Sequence, residues 1–156
     1  MTQTIGAKSM RNVRVHYSST SASVWNDISG TMNGIEVSGG DRITGEVHTA
    51  DSDLPIVLFG KMNPLDVTGK IVYSEITAEA FIDLEALYIA GTSIKLQWAP
   101  GGWATGNLLF RSSTTNITQF SYPSGVVGDG NPILVEFGVK CGTISYARMT
   151  TASGTW

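Results

Sequence analysis

Glycine interrupts this chain at short intervals, and the runs between the glycines are rich in β-forming residues. The 156 residues include 18 glycines, separated by short segments of Val, Ile, Thr, Tyr and Phe. Short β-rich runs with regular turn signals are typical of a sandwich or a barrel. The pattern therefore predicts a mostly β fold, a β-sandwich or barrel of about ten short strands, in one domain over residues 1–156.

Apolar and polar residues alternate most clearly near the middle and the end of the chain. Residues 65–74 and 132–140 carry this period-two pattern, which indicates a strand with one buried face. We expect residues 1–9 to be a flexible arm and residues 49–54 to be a polar loop. Shorter β-rich runs predict the other strands at residues 13–17, 24–25, 34–40, 43–47, 56–59, 94–98, 108–111, 117–120 and 144–146.

One helix is predicted, over about residues 77–90. Thr77 can cap its first turn, and Glu79 lies where the helix dipole favours an acid. Gly91 follows at a position where helices often end in a left-handed residue. Because its apolar residues recur at helical spacing, we expect the helix to flank the β structure with Phe81, Leu84 and Tyr88.

Glu85 falls inside the apolar arc of this helix. A buried carboxylate is costly unless it is paired. Two explanations stay open: Glu85 lies at the helix edge and reaches solvent, or it meets a partner from another subunit.

Charged residues are scarce, at 15% of the chain against roughly 25% in a typical soluble domain. A lightly charged surface suits a protein that buries much of itself against neighbours, although a surface rich in Ser and Thr would also explain it. The net charge is −3, and Lys8, Arg11 and Arg14 are the densest basic group. Sequence-specific nucleic-acid binding needs a stronger basic cluster than this.

The sequence lacks the residue patterns of common catalytic and metal sites. His16 and His48 are the only histidines, and no Gly-flanked serine of a nucleophile elbow is present. The single cysteine, Cys141, lies at a predicted strand end, where a buried and inert thiol is expected. Asp51 and Asp53 match only the start of a calcium loop. We therefore expect neither an enzyme nor a cofactor or metal site.

Two tryptophans flank a Pro-Gly-Gly loop. Trp98 is in phase with Ile94 and Leu96, so we expect it in the core. Trp103 is expected at an interface or packed against its loop, because Trp is enriched at protein interfaces. A tryptophan beside a loop could also stack on a sugar.

The order of the short motifs resembles a known family. Residues 33–47 read Asn-Gly-Ile-Glu-Val-Ser-Gly-Gly-Asp-Arg-Ile-Thr-Gly-Glu-Val, and residues 96–102 read Leu-Gln-Trp-Ala-Pro-Gly-Gly. Shorter matching motifs lie at residues 55–56, 60–61, 72–75, 79–81, 122–123, 132–133 and 137. Over residues 30–150 the chain resembles the major tail tube proteins of long-tailed bacteriophages and related prophages. That tube fold is shared with contractile tails and type VI secretion tubes.

The resemblance implies a β-sandwich with one flanking helix, whose copies close into hexameric rings that stack into a hollow tube. Viral DNA passes through such a tube without sequence-specific binding. The implied partners are further copies of the chain, a tape-measure protein and other tail proteins. The implied location is the virion tail, after synthesis in the bacterial host cytoplasm, because no signal peptide or apolar membrane span is evident in the sequence.

Two sets of candidate residues follow from the resemblance. Polar strand faces are the candidates for the tube lumen: Thr44, Glu46, His48, Asp66, Thr68, Lys70, Glu136 and Lys140. The candidates for subunit contacts come from the N-terminal arm, the polar loop, the carboxylate in the apolar arc of the helix and the tryptophan of the Pro-Gly-Gly loop. They are Met1, Thr2, Gln3, Thr4, Ile5, Asp51, Asp53, Glu85 and Trp103. The lumen set is mixed in sign, so it does not establish an acidic lumen.

Three other functions stay open at this stage. A carbohydrate- or receptor-binding β-module would use Trp103. A tail terminator or head decoration protein would form a single ring or a trimer and never polymerise. An unrecognised hydrolase would need a nucleophile and base that the sequence does not reveal.

Overall fold

The strands follow the alternation of apolar and polar residues closely. The computed structural model describes residues 9–19, 24–51, 54–128 and 130–151. The strands within these residues are β1 Arg14–Ser19, β2 Asn26–Asp27, β3 Met32–Gly39, β4 Arg42–Val47, β5 Ile56–Met62, β6 Leu65–Val72, β7 Ser93–Ala99, β8 Leu108–Ser112, β9 Thr115–Phe120, β10 Leu134–Cys141 and β11 Ile144–Arg148. The predicted mostly β fold is confirmed.

Nine strands form one antiparallel sheet that folds into two layers, and β4 and β5 form a separate hairpin. One layer has the order β3-β6-β10-β9, and the other has the order β2-β1-β7-β8-β11. The layers are joined where β7 pairs with β9, since Ser93 lies opposite Asn116 and Ile94 lies opposite Thr115. They are also joined by a bent ribbon, in which β8 leads into β9 and β10 leads into β11 at the same place. There the Ser113 amide donates to the Thr143 carbonyl at 2.9 Å. The β4–β5 hairpin (residues 42–62) pairs only within itself among the described strands.

The core lies between the two layers. On β6 the side chains of Val67 and Ile71 are fully buried, and polar residues alternate with them. Gly69 lies between these two, and a Cβ there would come within 2.5 Å of the Phe137 ring. A side chain at position 69 would therefore displace the aromatic ring at the centre of the core. Other fully buried side chains are Val15, Leu84, Ile94, Leu96, Leu109 and Val135.

The helix α1 is shorter than predicted and covers Ala80–Ala90. The predicted cap at Thr77 is wrong, because residues 77–79 form a turn before the helix and Glu79 occupies the cap position without a side-chain cap bond. Burial of Ala80 and Phe81 determines where the helix starts. At the other end the prediction is confirmed, since Gly91 has the left-handed φ of 63°.

The helix covers one side of the sandwich with aromatic contacts. Phe81 packs edge-to-face on Tyr73 with ring centroids 4.8 Å apart, and it also contacts Phe120 at 5.6 Å. The Tyr17 hydroxyl donates a hydrogen bond to Asp83 at 3.2 Å. Burial, together with the charge of Asp83, raises the pKa of Tyr17 to about 12.

Two strand predictions differ from the structure in detail. The strand expected at Val24 and Trp25 lies two residues later, as β2, and Trp25 instead packs under the Arg111 guanidinium at 4.9 Å. Ile133 was expected inside the last long strand, but β10 begins at Leu134, and Ile133 is 39% exposed. Both differences arise from tertiary contacts, and local periodicity carries no information about such contacts.

Candidate functional site

The outward face of the β3-β6-β10-β9 layer is polar and holds a row of ion pairs. Strand register places Lys70 opposite Glu136 and Lys140 opposite Asp66. The Lys70 ammonium lies 3.4 Å from Glu136 and 4.0 Å from Glu36, and Lys140 lies 3.5 Å from Asp66. All five side chains are about one-third to three-quarters exposed, so each pair contributes only about 0–1 kcal/mol to stability.

Five of the eight predicted lumen residues lie together on this face: Asp66, Thr68, Lys70, Glu136 and Lys140. Glu36 belongs with them but was not among the predicted residues. Its signal was present in the sequence, because Glu36 and Ser38 alternate with Ile35 and Val37. Three carboxylates (Glu36, Asp66 and Glu136) against two ammonium groups (Lys70 and Lys140) leave one net negative charge among these ion-paired residues.

The other three predicted lumen residues are at the β4–β5 hairpin, away from this face. Thr44 and Glu46 are on β4, and His48 follows directly after it. All three are exposed. The structure therefore does not bring them together with the polar face within one chain.

Every residue of the two strands β4 and β5 is exposed, including the large apolar side chains. The hairpin continues the β3–β6 pair past a bend at Gly39 and Gly40, whose φ values of 80° and 79° favour glycine. Backbone bonds extend across the bend, since the Asn63 amide donates to the Asp41 carbonyl at 2.8 Å. The hairpin thus has a defined conformation that places it apart from the core.

Both faces of this hairpin are rich in apolar surface. Paired residues share a face, so Val47 and Ile56 lie together with Leu58, while Phe59 and Val57 lie on the other face. Their exposed fractions include 60% for Leu58 and 71% for Phe59. A two-stranded hairpin is marginally stable in water by itself. Contiguous exposed apolar surface of this kind marks an interaction site.

The interface predicted from the sequence covers residues 49–54 but not the flanking strands. A signal was available at residues 55–59, which read Pro-Ile-Val-Leu-Phe without polar alternation. A strand with apolar residues on both faces is expected to be covered on both faces. Within one chain neither face of β5 is covered.

The remaining predicted contact residues fall in different places. Asp51 is exposed in the turn after β4, whereas Asp53 and residues 1–5 lie outside the described residues. Glu85 is half-buried on α1 and lies close enough to Tyr122 of its own chain to affect that hydroxyl. Lost hydration and the Glu85 carboxylate raise the pKa of Tyr122. The structure therefore places Glu85 beside a tyrosine hydroxyl of its own chain.

Trp103 is half-buried and holds its loop against β1. Its indole Nε1 donates a hydrogen bond to His16 Nε2 at 3.2 Å, and the two rings meet edge-to-face with centroids 4.7 Å apart. A ring held in this way is poorly placed to stack flat on a sugar, which argues against the carbohydrate-binding alternative. Trp98 is 5% exposed, so its predicted place in the core is confirmed.

The described residues offer little to catalysis or metal binding. No group of three or more His, Cys, Asp or Glu side chains among them could hold a metal ion. Cys141 is 1% exposed, and burial raises the pKa of its thiol. The one α-helix in this part of the chain is too short to cross a membrane.

Comparison with known proteins identifies the architecture. No protein-family model and no curated protein sequence matches this chain. Among solved structures, it is similar to the tail of an empty GTA particle computed with C6 symmetry, with a TM-score of 0.66, 13% identity, and coverage of 90% of this chain and 99% of that one. The chain has the phage tail tube fold.

Two further structures extend this likeness. The SPP1 tail tube matches with a TM-score of 0.67 and 11% identity, over 90% of this chain and 79% of that chain. The sheath–tube complex of the extracellular contractile injection system PVC matches with a TM-score of 0.62 and 12% identity, over 92% and 93%. At these identities the likeness shows the fold that the chain shares with these three structures.

Proposed function

We propose that this protein is a tail tube subunit, whose copies close into hexameric rings that stack into a hollow tube for viral DNA. The observation that carries the proposal is the exposed apolar β4–β5 hairpin on a tail tube fold. A monomer gains nothing from exposing Leu58 and Phe59, at 60% and 71%. A subunit that buries them against another copy gains about 25 cal/mol for each Å² of apolar surface removed from water.

Open strand edges also suit assembly. Strand β3 lies at the end of its layer and pairs only with β6 among the described residues. An unpaired edge is a template for another strand, and pairing edges around a ring leaves none open. Ring closure is a heterologous contact that returns on itself, whereas axial stacking repeats without end.

The polar face of the β3-β6-β10-β9 layer is our candidate for the tube wall that faces DNA. Its lysines are paired with carboxylates, so they are less available to phosphate than free lysines would be. The single net negative charge disfavours adhesion of DNA. Thr44 and Glu46 pair with Phe59 and Val57 and share their face, so they belong to the proposed contact between copies, whereas His48 stays a candidate for the lining.

The remaining contacts belong to the same proposal. Residues 1–9 and 49–54, with Asp51 and Asp53, are candidates for ring-to-ring contact, and Trp103 is a further candidate for a subunit contact. A tape-measure protein and other tail proteins would be additional partners. The protein would be made in the cytoplasm of a bacterial host and would function in the virion tail.

Electron microscopy of negatively stained protein, at low and high concentration, tests the proposal. Hollow tubes or stacked rings are expected from the wild type. Leu58→Asp should abolish them, because it places a charge in the apolar contact. Val24→Asp is the matched control, since Val24 is similarly exposed at 64% and lies outside the hairpin. Particles that stay monomeric at every concentration, even with tail initiator proteins added, would contradict the proposal.

A further inference from the structure

A polar cleft lies beside β1, in the β2-β1-β7-β8-β11 layer and across the core from the ion-paired face. Residues 11–14, 29–30 and 101–103 line the cleft. Its volume of about 510 Å³ is within the range of ligand pockets, about 300–1,000 Å³. The three walls are the short 3-10 helix Met10–Asn12, the turn after β2 and the loop after β7. The cleft is therefore separate from the β4–β5 hairpin and from the candidate lumen face.

Contacts between the walls hold the cleft open in a fixed shape. Gly102 has the left-handed φ of 82°, and a Cβ there would come within 3.0 Å of the Asn12 carbonyl oxygen. The Val15 amide donates to the Ser29 hydroxyl at 2.8 Å, and the Asn107 side chain donates to the Gly102 carbonyl at 3.1 Å. Because the cleft exists before any ligand binds, binding costs little ordering of the protein.

Trp103 is the aromatic wall of the cleft. Its hydrogen bond to His16 and the edge-to-face contact of the two rings fix its position. The ring is half-buried and lines the cleft, so it offers apolar surface that needs no further ordering.

Two arginines give the cleft a positive charge. Arg14 lies 3.6 Å from Asp27, and its side chain is 52% exposed. The Asp27 carboxylate is shared, because it also accepts hydrogen bonds from the Ser29 amide and hydroxyl. Arg11 is exposed and forms no ion pair with another of the described residues. Two guanidinium groups against one carboxylate leave one net positive charge at the cleft.

We infer that this cleft binds an acidic segment of a partner protein. A guanidinium group matches a carboxylate with two parallel N–H···O bonds, so Arg11 and Arg14 are the anchors for Asp or Glu side chains. Trp103 contacts the apolar part of the same segment. Arg and Trp are also the residue types enriched where protein contacts gain most of their free energy. A nucleic-acid backbone needs a longer run of basic side chains than two in one cleft.

The inference goes beyond the proposed tube function and does not depend on it, because one chain supplies every wall of the cleft. It can therefore be tested on the monomer. The full-length chain is used, with Leu58→Asp added if the wild type assembles, since Leu58 lies in the hairpin and not in the cleft.

An NMR titration of the isotope-labelled monomer measures binding to a short peptide. The probe is the acetylated and amidated peptide Asp-Leu-Glu-Leu, and the matched control peptide is Asn-Leu-Gln-Leu. The acidic peptide should shift the indole signal of Trp103 and the amide signals of residues 11–14 and 101–103. Its dissociation constant should be below about 1 mM. The neutral peptide should shift none of these signals.

Substitution of Arg11 shows whether the peptide binds in the cleft. Arg11→Gln should weaken binding about tenfold, because it removes a charge-assisted hydrogen bond. Its thermal unfolding should match the wild type, since Arg11 is exposed. Lys95→Gln is the matched control, because register places Lys95 on the same face of the layer as Arg14 but outside the cleft. This control should leave the affinity unchanged.

Three results would each overturn the inference: equal shifts from both peptides, equal weakening by Arg11→Gln and Lys95→Gln, or no shift at millimolar acidic peptide. A short thymidine oligonucleotide tests the other class of anionic partner. If it bound more tightly than the acidic peptide and lost affinity in Arg11→Gln, the cleft would be a nucleic-acid site instead. None of these results bears on tube formation, which electron microscopy tests separately.

Discussion

His16 lies on the outward side of β1, where its ring is 14% exposed and closely surrounded. Trp103 donates to its Nε2 at 3.2 Å, so that nitrogen must be unprotonated. Burial lowers the pKa of His16 below its ordinary 6.5, with Asp27 opposing the effect and Arg14 adding to it. The neutral imidazole is thus the form that holds the Trp103 loop.

This environment predicts a loss of stability on mild acidification. Above pH 6.5 His16 is neutral in both states, and the full stability is present. As the pH falls below 6.5, the unfolded chain binds the proton first, so the free energy of unfolding falls until the lowered folded-state pKa is reached. His16→Gln should reduce the slope of the free energy of unfolding against pH, because an amide does not titrate. The amide can still accept the hydrogen bond from Trp103.

Urea unfolding at pH 7.5 and pH 5.5, followed by tryptophan fluorescence, measures the slope. His48→Gln is the matched control, since it replaces the other histidine, which is exposed beside the hairpin. The pKa of Asp27 is also lowered, but from 3.8, so its contribution is lost at more acidic pH and does not overlap. Equal slopes in the wild type and His16→Gln would show that another group titrates.

At the scale of elements, α1 is held by its contacts rather than by its caps. Its N-terminus lacks a side-chain cap bond, yet Phe81 and Leu84 are 6% and 0% exposed. An isolated helix of this length is marginal in water, so tertiary packing supplies its stability. The start of the helix therefore depends on burial, which a local capping residue such as Thr77 does not report.

Truncating one buried and one exposed side chain of α1 should give contrasting results. Leu84→Ala should cost about 2–5 kcal/mol of stability, because it removes a fully buried side chain and leaves a cavity. Ile89→Ala should stay within about 0.5 kcal/mol, because Ile89 is 71% exposed. Urea unfolding of the monomer at neutral pH measures both. Similar losses for the two variants would mean that the helix does not pack through its Leu84 side.

At the scale of the whole molecule, the core and the hairpin are separable. The core closes between two layers that share a bent ribbon, and it does not include any residue of β4 or β5. The surface that the fold leaves unburied is therefore concentrated in one element. A chain built in this way can fold first and assemble afterwards.

Removing the hairpin should separate folding from assembly. Replacing residues 41–63 with an Asn-Gly turn should shift the melting temperature of the monomer by no more than about 4 °C, because a solvent-exposed hairpin contributes little. The same variant should form no tubes. Differential scanning calorimetry and electron microscopy measure the two effects. A variant that unfolds at room temperature would show that the hairpin supports the core.

Local periodicity in the sequence was sufficient for the strands, for the polar face of β6 and β10 and for the left-handed Gly91, because alternation and turn chemistry are properties of neighbouring residues. The same signals identified five residues that the structure gathers on one face. They did not identify Glu36 as a partner of Lys70, because that pair depends on which strands lie side by side. Nor did they show that β4 and β5 stand apart from the core, since an apolar run is the same whether its own subunit covers it or another copy does. Only the tertiary structure decided where the apolar surface ends up, because burial is a property of the folded chain.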